Sequence, residues 1–164
     1  MYCAELKKIV EVFHLENILP EINLEKRCIT RREVNRPALQ LAGFYERFDN
    51  DRLQIIGRVE HSFLDSLTPE KRREAICYLF EYHIPCLIVC KNLEMFPEMI
   101  EYGRKYDVPI FRTTQTTTDF AAEIIFWLRK ELADRVMMHG VLVDIYGEGV
   151  LIIGPSGIGK SEAA

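Results

Sequence analysis

The sequence predicts an α/β protein whose N-terminal α/β domain contains a largely parallel sheet. Short apolar runs with the length of buried strands alternate with segments of helical periodicity over residues 1–134. Strands separated by helices of this length form βαβ units, whose strands are parallel. Hydrophobic residues make up 48% of the 164 residues and charged residues 28%, which is the composition of a globular protein.

The first helices are predicted from apolar spacing and from residues that favour helix ends. Apolar residues from Leu6 to Phe13 recur at helical spacing and predict an amphipathic helix over 2–13. Pro37 fits the first turn of a short helix that stops at Gly43.

The remaining elements follow from the same signals. Thr68 fits the N-cap and Pro69 the first helical position of a third helix, which turns Ile76 and Phe80 inward. Two further helices are predicted over 95–106 and 119–132, the second with an apolar stripe. The predicted strands are 28–30, 53–57, 84–89 and 108–111.

The five cysteines number too few and lie too irregularly to form a disulfide framework. Their odd number, together with the absence of a secretion signal, predicts reduced thiols and a cytoplasmic location. Cys86 and Cys90 lie in a predicted buried strand, where cysteine behaves as a small hydrophobe. A zinc site there would need two more ligands, and His83 is the only neighbouring candidate, so no metal is expected.

Charge and hydropathy exclude two broad classes of partner. The 21 basic and 25 acidic residues give a net charge of −4, whereas a general nucleic-acid binder needs a basic excess. The longest run without a charged residue, from Gly149 to Gly159, is much shorter than the roughly 20 apolar residues of a membrane span. Neither a nucleic acid nor a membrane is expected as a partner.

A change in composition predicts a domain boundary near residues 133–136. Six of the nine glycines lie between Gly140 and Gly159. Two apolar runs, 141–146 and 150–153, flank Gly147-Glu148-Gly149, a connection typical of a hairpin. The sequence therefore predicts a first domain over 1–134 and the start of a second over 135–164.

The segment that follows the second run matches the phosphate-binding pattern G-x-x-x-x-G-K-[ST]. It comprises Gly154, Pro155, Ser156, Gly157, Ile158, Gly159, Lys160 and Ser161. Glycines let backbone N–H groups turn toward phosphate oxygens without obstruction. In this pattern Lys160 contacts the β- and γ-phosphates of ATP, and Ser161 offers its hydroxyl to Mg²⁺. The alternative is a glycine-rich strand-to-helix turn with an exposed lysine.

The sequence stops three residues after Ser161. A phosphate loop needs a following helix and carboxylates from other strands to hold Mg²⁺ and orient the nucleophile. We therefore expect this chain to be a truncated piece of a longer enzyme, and the piece alone to lack catalytic competence.

Residues 139–163, HGVLVDIYGEGVLIIGPSGIGKSEA, closely resemble the bacterial HPr kinase/phosphorylase family. The likeness extends upstream, because 35–44 (NRPALQLAGF) is similar to the R-P-G-L-x-L-A-G segment of that family, and 53–64 to its next shared stretch. There are two departures. Ala38 stands where the family usually has glycine, and Pro155 replaces a residue that is often acidic and removes one N–H donor.

The resemblance implies a bifunctional enzyme. Members transfer phosphate from ATP or pyrophosphate to a serine of HPr, the phosphocarrier of the sugar phosphotransferase system. They also remove it with inorganic phosphate, releasing pyrophosphate, and so control sugar uptake and carbon catabolite repression. The resemblance further implies a homohexamer and an N-terminal domain similar in fold to that of Mur ligases, followed here by a truncated P-loop kinase domain.

The resemblance also assigns roles to individual residues. His139 matches the active-site histidine, Lys160 the phosphate-binding lysine, 154–161 the ATP loop and Ser161 the Mg²⁺ ligand. The general base is an aspartate beyond residue 164.

Other interpretations remain open from the residues alone. Without the family, His139 at a strand edge is more simply a hydrogen-bonded structural residue. His14, His61 and His83 are interpreted as structural or surface residues, and the run 113–118 as loop and helix cap. The chain could also be a non-catalytic binding or oligomerisation module, or part of another small P-loop kinase.

Overall fold

The computed structural model describes residues 3–135, 138–155 and 157–160. The chain divides into two compact units, Met1–Ala133 and Asp134–Ala164. In chain order, the elements of the first unit are β1 (Ala4–Glu5), α1 (Leu6–Val12), β2 (Glu16–Asn17), β3 (Cys28–Ile29), β4 (Val34–Asn35), α2 (Ala38–Leu41), β5 (Leu53–Ile56), α3 (Arg58–Ser66), α4 (Pro69–Glu81), β6 (Leu87–Val89), α5 (Pro97–Lys105), β7 (Ile110–Arg112) and α6 (Thr117–Glu131).

A five-stranded sheet with the order β2-β7-β6-β5-β4 forms the centre of this unit. Strands β4 to β7 pair in parallel, with Ile55 opposite Ile88 and Ile88 opposite Phe111. Only β2, at one edge, runs antiparallel to its neighbour β7. A separate antiparallel pair joins β1 to β3. The predicted α/β class with a largely parallel sheet is confirmed.

Two apolar clusters, one on each face of the sheet, hold helices against the strands. One contains Leu53, Ile55 and Ile88 of the sheet with buried residues of α1 and α6. The other contains Ile56 and Val89 with buried residues of α2, α3, α4 and α5. Because successive strand residues point to opposite faces, strands covered on both faces are apolar throughout, as predicted for 53–57.

The predicted start of α4 is confirmed, whereas α6 begins at Thr117 rather than at residue 119, and a threonine side chain caps each helix. Thr68 Oγ1 accepts a hydrogen bond from the Lys71 backbone N–H at 3.4 Å, and Pro69 follows it. Thr116 Oγ1 likewise accepts from the Asp119 N–H at 3.2 Å and caps α6. The threonine-rich run therefore has the loop and capping role that the sequence predicts.

Several predicted boundaries shift in the structure. The first helix begins at Leu6 rather than residue 2, because Ala4–Glu5 extend to pair with β3; residue 2 lies outside the described residues. Strand β6 starts at Leu87 rather than 84, and α5 at Pro97 rather than 95.

Helix α3 (Arg58–Ser66) was not predicted at all. Its apolar residues Val59 and Phe63 are exposed, and only Leu64 among them is buried. Its start has no Ser, Thr, Asp or Asn cap.

The start of α3 is instead fixed by a buried carboxylate. Glu60 is 2% exposed, and its Oε2 accepts the Gly57 backbone N–H at 2.9 Å. The same carboxylate forms an ion pair with Arg36, with 2.8 Å between Nη2 and Oε1. A side chain at Gly57 would overlap Thr117 Oγ1 at the start of α6. The ends of β4 and β5 and the start of α6 therefore meet at Glu60 and Gly57.

The expectation of five reduced thiols is wrong for two of them. Cys3 and Cys28 form a disulfide, with their Cα atoms 5.5 Å apart. The antiparallel pairing of β1 with β3 brings them together, because Glu5 lies opposite Cys28 and Cys3 is two residues earlier. Cys86 and Cys90 are free and buried, as predicted, and burial raises the pKa of the Cys90 thiol to about 11.

The second unit contains a hairpin of β8 (Gly140–Ile145) and β9 (Glu148–Ile153). Its connection is Tyr146-Gly147, not the predicted Gly147-Glu148-Gly149. Tyr146 and Gly147 both have positive φ angles, as a two-residue hairpin turn with right-handed twist requires. Asp144 Oδ1 accepts the Gly147 N–H at 2.8 Å. Within the described residues, no helix combines the length and the apolar character that a membrane crossing needs.

Two ion pairs join α4 to α5 in different environments. Arg72 and Glu98 are 3.2 Å apart, with side chains 17% and 8% exposed. Arg73 and Glu101 are 2.8 Å apart, with side chains 52% and 51% exposed. Water screens the second pair, whereas the first is largely removed from it.

We predict that Glu98→Ala destabilises the protein by about 2–4 kcal/mol, because it leaves the Arg72 guanidinium buried without its partner. Glu101→Ala, the matched control on the same helix, costs less than about 0.5 kcal/mol. Urea unfolding followed by circular dichroism measures both changes. Equal losses for the two variants would contradict the assignment of a buried and an exposed pair.

Candidate functional site

The register of the hairpin places two predicted site residues at one end of the second unit. Gly140 of β8 is paired with Ile153 of β9. His139 directly precedes Gly140 and Gly154 directly follows Ile153, so both leave the open end of the hairpin. His139 is exposed. His139 and Gly154, which the whole hairpin separates in the sequence, therefore lie at the same end of it.

The glycine-rich turn begins directly after β9. Gly157 has a φ of 83° and Gly159 a φ of 89°, in the left-handed region that side chains disfavour. Ile158 lies between them with its side chain exposed. The spacing of glycines in the motif therefore corresponds to a backbone requirement of this turn.

Lys160 folds back across the turn. Its Nζ donates hydrogen bonds to the Gly154 carbonyl oxygen at 2.8 Å and to the Pro155 carbonyl oxygen at 2.6 Å. Both acceptors are neutral, and within the described part of the chain no carboxylate forms an ion pair with this ammonium. The positive charge is thus held at the turn without being neutralised.

The structure describes most of the predicted phosphate-binding residues but not all. Gly154, Pro155, Gly157, Ile158, Gly159 and Lys160 are described. Ser156 and the predicted Mg²⁺ ligand Ser161 lie outside the described residues. Within residues 3–135, 138–155 and 157–160, no group of three or more His, Cys, Asp or Glu side chains is placed to hold a metal ion.

Sequence reasoning missed a polar cavity in the first unit. It lies beside the ends of β6 and β7 and includes His14, Asn92 and Gln115. These residues come from three separate segments, and none belongs to a recognisable motif. Only the pairing of the strands brings them together.

Comparisons with known families cover nearly the whole chain. The profile described as HPr Serine kinase N terminus matches residues 4–128. The profile described as HPr Serine kinase C-terminal domain matches residues 130–164, which include the hairpin and the glycine-rich turn.

Curated relatives agree with these matches. The chain is 50% identical to the HPr kinase/phosphorylase of Lachnoclostridium phytofermentans over 164 residues, 100% of this chain and 53% of that protein. It is 46% identical to that of Caldicellulosiruptor bescii, again over 100% of this chain and 53% of that protein. It is 43% identical to that of Clostridium perfringens over 97% of this chain and 51% of that protein. The chain spans about half the length of the curated relatives it matches.

A solved structure is similar in fold to part of the chain. It contains the CBS and DRTGG domains of the regulatory region of a Clostridium perfringens pyrophosphatase, complexed with the activator diadenosine tetraphosphate. The TM-score is 0.51 at 20% identity, over 76% of this chain and 46% of that one. At this identity the similarity concerns the fold alone.

We predict that Gly157→Ala weakens by about fivefold or more the pyrophosphate binding that is proposed below for a protein of the relatives' full length. A Cβ at Gly157 meets no atom within 4 Å, so the effect comes from the backbone, where a left-handed alanine costs about 1–2 kcal/mol. Isothermal titration calorimetry measures the affinity. Gly149→Ala, in β9 and without a left-handed φ, is the control, and equal affinities for the two variants would contradict the prediction.

Proposed function

Since this chain belongs to the HPr serine kinase family, we propose that the longer protein phosphorylates a serine of the phosphocarrier HPr and removes that phosphate by phosphorolysis. The observation that supports this most is the match to HPr kinase/phosphorylase relatives across all 164 residues, at up to 50% identity. The match includes the glycine-rich turn. Control of sugar uptake and carbon catabolite repression follows from this activity.

The turn after β9 is the proposed binding site for the phosphates of ATP or pyrophosphate, with residues 154–161 as its loop. Lys160 already lies across the turn on two neutral carbonyl oxygens. A phosphate oxygen carries negative charge, so it attracts the ammonium more strongly than a neutral carbonyl oxygen does. The ammonium therefore exchanges a carbonyl for the β- or γ-phosphate while remaining at the turn.

The backbone supplies the other phosphate contacts in this proposal. In this proposal the left-handed conformations at Gly157 and Gly159 allow successive N–H groups to turn toward one side of the loop. Pro155 has no N–H and contributes none. The donors of this loop are therefore amides of the residues on either side of Pro155.

His139 is the proposed active-site histidine. The hairpin register supports this role, because His139 and Gly154 flank the same pair of residues, Gly140 and Ile153. An imidazole ring can hold or release a proton beside a phosphate acceptor. As a cation it also adds positive charge next to the bound phosphates.

Mg²⁺ is the proposed cofactor, and when bound it neutralises charge on the phosphates that are transferred. Ser161 is the residue of this chain that would hold it. The carboxylate ligands and the general-base aspartate are assigned to the part of the longer protein beyond residue 164.

In the reverse direction the same turn takes inorganic phosphate. An oxygen of this phosphate attacks the phosphorus of phosphoserine, the bond from phosphorus to the serine oxygen breaks, and HPr regains its hydroxyl. The product is pyrophosphate. Lys160 and the turn amides stabilise its negative charge as they stabilise that of ATP.

Further features of the family are proposed for the longer protein. These are an N-terminal domain similar in fold to that of Mur ligases, a P-loop kinase domain beginning with the hairpin, assembly into a homohexamer, and a cytoplasmic location. The parallel sheet with helices on both faces is consistent with an N-terminal domain of this fold.

We predict that Lys160→Met in the longer protein lowers the rate of phosphoserine formation on HPr by about 100-fold or more, because loss of one preorganised charge at the phosphates has effects of this size. Transfer of labelled phosphate from ATP to HPr in the presence of Mg²⁺ measures the rate. The matched control is Lys7→Met, at an exposed lysine of α1. An unchanged rate for Lys160→Met, or no phosphoserine with the unaltered protein, would refute the proposal.

A further inference from the structure

A polar cavity of about 300 Å³ lies at the carboxyl edge of the parallel sheet in the first unit. Thr114 and Gln115 reach it from the loop after β7, and Asn92 from the loop after β6. His14, at the end of α1, and the ion-paired Glu16 and Arg112 complete its wall.

Backbone hydrogen bonds lock the two loops of this wall together. The Lys91 N–H donates to the Gln115 carbonyl at 2.9 Å, and the Asn92 N–H donates to the Thr113 carbonyl at 2.8 Å. The cavity therefore has a defined wall rather than two independent loops, as expected of a preformed site.

In the part of the chain that the structure describes, three exposed polar side chains of the cavity wall have no partner, whereas Glu16, Arg112, Thr113 and Gln115 of the same wall are hydrogen-bonded. Within the described residues, the side chains of His14, Asn92 and Thr114 make no hydrogen bond or ion pair. Unused donors and acceptors that converge on one cavity are typical of a binding site.

Gln115 adds a buried acceptor. Its Nε2 donates to Glu123 Oε2 at 2.9 Å, which fixes the orientation of the amide, because the reverse orientation would set oxygen against carboxylate. Its Oε1 is then a buried atom with no partner among the described residues. A buried acceptor without a donor costs free energy.

The backbone around the cavity is strained. His14, Lys91 and Asn92 have φ angles of 49°, 61° and 51°, in the left-handed region. Non-glycine residues in this region concentrate at binding sites, where the surrounding structure holds them. His14 and Asn92 line the cavity, and Lys91 directly precedes Asn92 in the sequence.

The chemistry of the wall specifies an uncharged ligand. Arg112 is bound by Glu16 through two hydrogen bonds, of 2.8 and 2.9 Å, so this pair has no net charge. The amide, hydroxyl and imidazole groups of the wall can both donate and accept hydrogen bonds. They therefore suit a ligand whose hydroxyl groups also do both. The Phe13 ring adds an apolar surface for C–H groups. The volume lies at the lower end of small-molecule pockets.

We propose that this cavity is a binding site for a small uncharged molecule with several hydroxyl groups, no larger than a monosaccharide. It is separate from the glycine-rich turn in the sequence and does not depend on the kinase activity.

Amide chemical shifts of the 164-residue chain test this proposal, with D-glucose, myo-inositol and glycerol added separately at millimolar concentrations. At least one of the three is expected to shift the Asn92, Thr114 and Gln115 amides in a saturable way. No saturable shift at these amides with any of the three would overturn the proposal. So would tighter binding of D-glucose 6-phosphate than of D-glucose, because that result assigns an anion site.

Two matched pairs of variants locate the site. Asn92→Gly keeps the left-handed backbone but removes the amide, and is expected to weaken binding about tenfold. Lys91→Gly changes the neighbouring left-handed residue, which does not line the cavity, and leaves the affinity unchanged. Thr114→Val weakens binding in the same way, whereas Thr118→Val, in the same threonine-rich run but outside the cavity wall, does not. Equal effects within both pairs would refute the location.

Discussion

The parallel pairing of β5, β6 and β7 is the constraint on which the first unit depends. These strands are apolar on both faces, so they are stable only between two layers of helices. Their shared direction brings every loop after a strand to one edge. At that edge Glu60 closes the start of α3 over Gly57, and Asn92 meets Thr113 through the backbone. The same pairing therefore creates both the core and the cavity wall.

The second unit depends on a different constraint, the register of its hairpin. A shift of one residue would move His139 away from the strand end where Gly154 begins and would turn each side chain to the opposite face. The two-residue turn at Tyr146-Gly147 fixes this register. The chemistry proposed for the turn after β9 thus depends on a backbone conformation at the other end of the hairpin.

The sequence was most informative where a local signal determines structure. Thr68-Pro69 identifies a helix start by itself, and Gly157 and Gly159 indicate a turn with left-handed residues. It was least informative where distant residues meet. Helix α3 is fixed by a carboxylate that reaches its own N-terminus and Arg36. The Cys3–Cys28 disulfide depends on the pairing of two short strands. The cavity is formed by loops that only the sheet brings together. These depend on tertiary packing, which periodicity does not encode.

The central claim is that the turn after β9 binds the phosphates of a nucleotide. The most direct measurement uses the longer protein with ¹⁵N-labelled glycine and a non-hydrolysable ATP analogue with Mg²⁺. Our account predicts saturable shifts of the Gly154, Gly157 and Gly159 amides, with Gly43 and Gly103 of the first unit unchanged. A saturated complex in which these three amides keep their positions would contradict it.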